Sequence, residues 1–387
     1  MIEWLKSALG SPERKDAALR SLIALQAGGR PAWGPRSYAQ FASEGYAKNP
    51  VAFRCVRIIA ESAASIRLTP LRSGEPLERD DPAAQLLAQP NPEQSTAELM
   101  EAFFGYLQVA GNAYLEAAHI DGVPRALFVL RPDRVTVLPG ERGWPAGWEY
   151  EVERRKTRYM RDPVSGRAPI FHMKVFNPGD DHYGLSPMEA AAFAIDTHSA
   201  AGAWNKSLLD NAARPSGALV YSGAGAMTDD QFERLKAELS ESHQGPGGAG
   251  RPLLLEGGLD WKPFGLSPAD MDFIQAKHTS AREIALAFGV PPMLLGVPGD
   301  NTYANYKEAN LAFWRQTILP LARKTARALE GWLRPWFGAG LSVQCEEADI
   351  PALAEERAAL WARLEAASFL TAAEKRALAG LAPEPRP

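Results

Sequence analysis

The sequence is poor in cysteine: Cys55 and Cys345 are the whole complement, far apart and in no paired motif. That excludes a disulfide scaffold and a cysteine-based zinc site, and it fits a reducing compartment. Long apolar runs are missing as well. No uninterrupted stretch approaches the roughly 18 residues of a membrane helix, so no membrane partner is expected. The opening MIEWLKSALG carries Glu3 and Lys6 among its apolar residues and lacks the layout of a secretory signal. A soluble protein, made and assembled in the cytoplasm, is the expectation. Nor is there an excess of one charge: 42 lysines and arginines against 46 aspartates and glutamates leave a net charge of −4. Domains that hold nucleic acid tightly are usually basic. No Walker motif is present, which argues against an NTPase. The six histidines (His119, His172, His182, His198, His243 and His278) include no i, i+4 metal pair.

What is present is a chain of 387 residues, 46% hydrophobic, with room for a large core or two to three modules. Ile2, Leu5 and Leu9 share one helical face, and AGGRPAWGPRS (27–37) reads as a linker. From Asn49, Val51, Cys55, Ile58, Ile59 and Ser62 recur at helical spacing. A second helix is predicted over 95–109, with Ser95 as N-cap and Glu98 closing a capping box. Residues 110–176 change character. The runs AYLEAAHI, ALFVLRP, RVTVLP, WEYEVE and PIFHMKVF, separated by turns such as Asp121-Gly122 and Pro139-Gly140, read as antiparallel strands. The fold class is therefore α+β.

Beyond residue 183 long helices take over. In YGLSPMEAA, Ser186 reads as an N-cap, Pro187 as the first helical residue and Glu189 as the partner in a capping box. That helix is predicted to run about 27 residues, or about 40 Å, to Arg214-Pro215-Ser216-Gly217. Its Ala190, Ala191, Ala194 and Ala201 would permit close helix packing. A small module follows: strand ALVY (218–221), a helix capped by Thr228 and Gln231, the loop GPGGAG, and strand PLLLE. Ser267 and Pro268 then repeat the cap-and-proline start. This second helix places Met271, Ile274, His278, Ala281, Ile284, Ala285 and Phe288 on one side, and Gly289 ends it before Pro291 and Pro292. A third long helix, from about Thr302 to Phe337, contains Pro320, where a kink is expected. Short Ala- and Glu-rich helices fill 350–381.

Candidate chemistry is thin. GPGGAG (245–250) has spaced glycines, but a helix precedes it and a strand follows, the reverse of a dinucleotide fingerprint. Gly184-x-Ser186 and Gly265-x-Ser267 each give half a nucleophile elbow, yet helix capping accounts for both serines. Asp180-Asp181-His182 is the one dense polar cluster that could ligate a metal; a solvated turn is the competing reading. Basic residues gather in RRKTRYMR (154–161), read as a solvated hairpin. They gather again in the third helix as Lys307, Arg315, Arg323, Lys324, Arg327 and Arg334, read as a face pairing with a neighbouring subunit.

FGVPPMLLGVPGDNTYANYKEANLAFWRQTILPL, preceded by DMDFIQAKHTSAREIALAFG, resembles the core of the portal proteins of long-tailed bacteriophages and gene transfer agents. NPVAFRCVRIIAESAASIRLTPL, GNAYLEA and YGLSPMEAA match the same family in the same order, so the resemblance covers about 45–337. It implies a phage portal fold: an N-terminal helix and linker (1–29), a wing (30–185), stem helix 1 (186–213), a clip (214–266), stem helix 2 (267–289), a tunnel loop (290–305), a long kinked wing helix (306–337) and a short crown (338–387). It further implies a twelve-subunit ring at one capsid vertex, with no catalysis, cofactor or metal. Its partners would be the major capsid protein, the terminase large subunit, the head–tail adaptor and double-stranded DNA passing without sequence specificity. The protein would reside in the virion.

On this reading Val297, Pro298, Gly299, Asp300, Asn301, Thr302, Tyr303 and Asn305 line the channel. Val297 to Thr302 supply no cation, as suits a passage that must not trap phosphates. Two alternatives stand beside it: another head–tail ring connector, and a cytoplasmic hydrolase or metal enzyme centred on Asp180, Asp181 and His182.

Overall fold

Helices in this chain begin where a side chain can accept from the first unpaired backbone N–H groups. The computed structural model describes residues 37–140, 143–210, 217–221, 234, 259–263, 273–297 and 303–380. A short turn, Tyr38–Gln40, runs into a π-helical segment, Phe41–Tyr46. Helix α1 (Pro50–Ala64) follows; Asn49 Oδ1 accepts from the amides of Val51 and Ala52, both at 3.1 Å. Its buried face is Ala52, Cys55, Val56, Ile59, Ala60 and Ala63. Strands β1 (Leu68–Arg72) and β2 (Glu75–Pro76) lead to α2 (Pro82–Ala88), capped by Asp81. Helix α3 (Thr96–Ala110) opens with a complete capping box between Ser95 and Glu98 and closes at Gly111, whose φ is +69°. Only glycine takes that left-handed geometry without strain.

Two antiparallel three-stranded sheets come next. One has the order β4–β3–β8, from β3 (Asn112–Ile120), β4 (Val123–Leu130) and β8 (Ile170–Lys174). The other has the order β5–β6–β7, from β5 (Val135–Pro139), β6 (Pro145–Val152) and β7 (Arg155–Met160). Asp121-Gly122 and Glu153-Arg154 turn their hairpins with positive φ at both residues, the geometry that matches strand twist. Tyr114, Leu130, Val135, Val137, Trp148, Ala168 and Ile170 form a small core shared by the two sheets.

The helix begun at Ser186 is not continuous. Its first turn, α4 (Pro187–Ala190), is separated from α5 (Ala192–Asp210) by Ala191, where ψ is 0°. The break has a local cause: the Ser186 hydroxyl donates to the carbonyls of Gln108 (2.9 Å) and Val109 (2.8 Å) while accepting from Met188 N–H. Those bonds hold the first turn against the end of α3, whereas α5 packs along α6 (Phe273–Phe288). Glu189 closes no capping box: the Ser186 hydroxyl accepts from Met188 N–H rather than from the third helical residue.

Strands β9 (Gly217–Tyr221) and β10 (Leu259–Pro263) pair between α5 and α6. The sequence reading missed β10. The expected N-terminal helix, the Thr228 and Gln231 cap, GPGGAG, strand PLLLE, Ser267 and Pro268 lie outside the described residues.

The third long helix is interrupted by more than a kink. Helix α7 (Tyr303–Phe313) passes through a π-helical turn, Trp314–Ile318, into α8 (Leu319–Phe337). The Leu319 N–H reaches back to the Trp314 carbonyl, five residues away. Pro320 cannot donate and its ring crowds the turn before it; the widened turn absorbs both defects. Strand β11 (Leu341–Cys345) pairs antiparallel with β1, from Leu68↔Cys345 to Arg72↔Leu341, so these residues join the N-terminal body. Helices α9 (Ala354–Ala366) and α10 (Ala372–Leu378) follow, with no buried residue in either.

One large hydrophobic cluster unites α1, α3, β3, α6 and α8, including Ile59, Phe103, Leu115, Ile284 and Leu329. Its tightest seam is glycine on glycine. A Cβ on Gly184 would run into the Gly111 carbonyl oxygen and lie 2.7 Å from the Val175 amide. Gly184→Ala is expected to destabilise the protein by about 3 kcal/mol or more. Gly105→Ala, in the middle of α3 with open space around it, should instead add about 0.5–1 kcal/mol. Urea unfolding of the two variants measures both.

Candidate functional site

The segment 289–305 joins α6 to α7, and the structure shows how its first half is held. At the end of α6, Gly289 (φ +66°) donates to Leu286 O, and Val290 donates across it to Ala285 O at 2.9 Å. This is a glycine-closed helix end. Pro292–Leu295 then form one tight helical turn, closed by Gly296 at φ +72°. Leu294 and Leu295 pack against the main core. Val297 donates to Pro292 O and is buried. Within the subunit its side chain is covered, where the resemblance implies a channel-lining residue.

Pro298, Gly299, Asp300, Asn301 and Thr302 lie outside the described residues. Tyr303 is the first residue of α7, and Asn305 is exposed on it. A tether that sequence reasoning missed comes from the π-helical turn. Thr317 Oγ1 donates to Gly289 O at 2.6 Å, tying the end of α6 to the interruption in the third helix. Pro320 was the available signal, since π-turns often accompany a proline one turn on.

The pair α5–α6 carries the small-residue packing expected of it. Ala191, Ala194 and Ala201 are buried, as are Ala281, Ile284, Ala285 and Phe288. Asn49 Nδ2, besides capping α1, reaches Ile195 O (3.3 Å), His198 Nδ1 (3.2 Å) and Ser199 Oγ (3.2 Å), fixing α5 to the start of α1. Ile274 departs from its expected face and is 67% exposed, and Leu286 is 80% exposed. Two large aliphatic side chains thus point to solvent on this helix.

The polar clusters resolve into structural roles. Asp180 Oδ1 accepts from the amides of His182 (2.7 Å) and Tyr183 (3.0 Å), and these bonds hold its carboxyl below the usual range. Lys174 Nζ donates to the Asp181 carbonyl. The cluster is a hydrogen-bonded turn, and among the described residues no group of three or more His, Cys, Asp or Glu is placed to hold a metal. Ser186 is buried with its hydroxyl committed, so it is no nucleophile.

His172 Nε2 lies 3.0 Å from Asn112 Oδ1, which also accepts from Gly184 N–H. Burial pushes this imidazole down to about 3, so it is neutral near pH 7 and donates to Asn112. In the basic hairpin, Lys156 (2.7 Å) and Arg158 (2.8 Å) grip the two oxygens of Glu149. Arg161 lies over the Trp148 ring at 5.8 Å.

The basic side of the third helix is also matched largely within the chain. Lys307 pairs with Glu355, Arg315 with Glu356, Arg323 with Glu347 and Arg334 with Glu330. The acidic partners stand in α9, before it, and in α8 itself. Of the six, Lys324 and Arg327 have no carboxylate partner among the described residues.

The Thr317 tether generates a prediction. In Thr317→Val, exchange of the hydrogen-bonded amides of Gly289, Val290 and Leu294 should quicken about fivefold, the size of one lost hydrogen bond. Hydrogen-exchange mass spectrometry of peptides spanning 285–297 reads this. Unchanged protection would show that the tether does not hold the segment.

Comparison with known proteins agrees with this geometry. The family model described as "Phage portal protein" matches residues 50–380. A chain in the neck of a native gene transfer agent particle, computed with C12 symmetry, is 52% identical. The match covers 94% of this chain and 98% of that one, with a TM-score of 0.70. A chain in the neck of an empty particle, computed with C6 symmetry, gives a TM-score of 0.71 at the same identity and coverage. The portal protein of Enterobacteria phage HK97 is 26% identical over 296 residues, covering 73% of this chain and 66% of that protein. A family model spanning most of the chain, and a neck protein sharing half its residues end to end, leave one assignment: this chain belongs to the phage portal protein family, structural proteins of the virion rather than enzymes.

Proposed function

We propose that this protein forms a closed ring, of twelve subunits, at one vertex of a capsid and that DNA enters and leaves through it. The observation that carries the proposal is the 52% identity, over 94% of the chain, to a protein in a neck of C12 symmetry. Exposed Ile274 and Leu286 on α6 support it, because a neighbouring copy would cover them in a ring. Residues 30–185 and 306–337 would be the wing, with β11 added to it through β1. Residues 186–213 and 267–289 would be the stem, and 214–266 the clip that meets the terminase large subunit and the head–tail adaptor. The crown would begin only after Cys345, with α9 and α10. The wing would meet the major capsid protein.

The loop 290–305 would reach toward the axis through Pro298, Gly299, Asp300, Asn301 and Thr302, beyond the anchored Leu294, Leu295 and Val297. A segment without cations suits sliding, since phosphate contacts dominate affinity for DNA. Placing lysines there should hold the duplex. The double variant Asp300→Lys, Asn301→Lys is expected to form rings, seen by negative-stain microscopy, while DNA content per particle falls. Normal DNA content would remove the loop from the channel. A wild-type protein that stays monomeric under assembly conditions would count against the ring itself.

A further inference from the structure

A basic groove remains on the C-terminal side of the molecule after the ion pairs above are assigned. It has a volume of about 810 Å³ and opens between α8, β11 and α9, lined by Arg315, Arg323, Arg327, Arg357 and Arg363. Two of these arginines are fixed by neighbours. Arg323 grips Glu347 with two bonds, at 2.7 and 2.8 Å, and Arg315 pairs with Glu356. Three retain uncompensated charge. Arg357 gives only one hydrogen bond, to the Glu347 backbone carbonyl at 3.3 Å. Exposed Arg327 and Arg363 have no hydrogen bond or ion pair among the described residues. Five arginines against the lining Glu346, Glu347 and Glu356 make this a locally positive place on a chain of net charge −4.

Arg327 stands one helical turn beyond Arg323 on the same face but without its carboxylate, so its charge is left open. An anion between the helices would neutralise it. Arg357 and Arg363 stand about 9 Å apart along α9, with Arg327 on the facing helix, a spread wider than one small anion spans and suited to a linear polyanion. Guanidinium forks favour phosphate oxygens. A protein partner is less apt, because binding hot spots centre on buried aromatic anchors and no aromatic side chain lines this groove.

We propose that this groove takes the phosphate backbone of double-stranded DNA without reading its sequence, with Arg327, Arg357 and Arg363 as the contacts. The inference rests on the portal reading, which supplies the DNA. It places an attachment point away from the loop argued above to let DNA slide.

The test uses assembled full-length rings and a labelled 30-base-pair duplex, with binding read by fluorescence anisotropy across a series of KCl concentrations. Arg327→Gln, Arg363→Gln is expected to weaken binding equally for unrelated sequences. It should reduce the slope of log affinity against log salt by about 2, near 0.9 for each lost phosphate contact. Arg327→Lys, Arg363→Lys should keep most of the slope, separating charge from packing. Affinity and slope unchanged in the glutamine variant would overturn the proposal, as would an equal loss in the lysine variant. Capture of a purified capsid or adaptor protein that is lost in the glutamine variant, with DNA binding intact, would overturn it in favour of a protein partner. Wild-type rings that form but bind no duplex refute this inference alone; absence of rings refutes the portal reading.

Discussion

The close approach of two backbones at Gly111 and Gly184 is the constraint on which the rest of this molecule depends. Gly111 ends α3 in the left-handed conformation, and Gly184 packs directly on its carbonyl. Around that contact three polar side chains are drawn in. Asn112 Oδ1 takes the Gly184 amide and His172, and Ser186 donates to the last carbonyls of α3. Buried polar groups are costly unless paired, so this knot holds one arrangement of helix, strand and helix start. It also sets the direction in which the chain leaves toward α5, and with it the one-residue break at Ala191.

A second joint lies at the other end of the helix pair. Gly289 closes α6, Thr317 ties its carbonyl to the π-helical turn, and Pro320 is the reason that turn exists. Beyond their shared packing in the main core, the two long helical segments are thus tied by one hydroxyl. A strain at the loop between them can pass to α8, and through β11 to the sheet containing β1.

Charge is arranged to a similar logic. A basic helix face would repel itself, yet glutamates in and around α9 meet Lys307, Arg315 and Arg323. Surface pairs of this kind contribute little to stability singly. Their consequence is positional: they hold α9 against the third helix although it buries no residue, and they leave a few arginines over.

By itself the sequence determined what depends on near neighbours. Asn49, Ser95 and Ser186 start helices, Gly111 and Gly289 end them, and alternating apolar residues make the strands of 112–174. These are short-range matters of capping, φ and periodicity, legible within a window of a few residues. The tertiary structure alone decided what depends on residues far apart in the chain. The pairing of β11 with β1 joins positions more than 250 residues distant, and no local pattern in LSVQC names its partner. Val297, which the resemblance puts on a channel, is covered within the subunit, and its burial could not be read from the loop sequence. The basic helix face likewise acquired its meaning only when the C-terminal acids were laid against it. Secondary structure is decided largely by the chain's local chemistry; which surfaces remain free to act is decided by what packs on them.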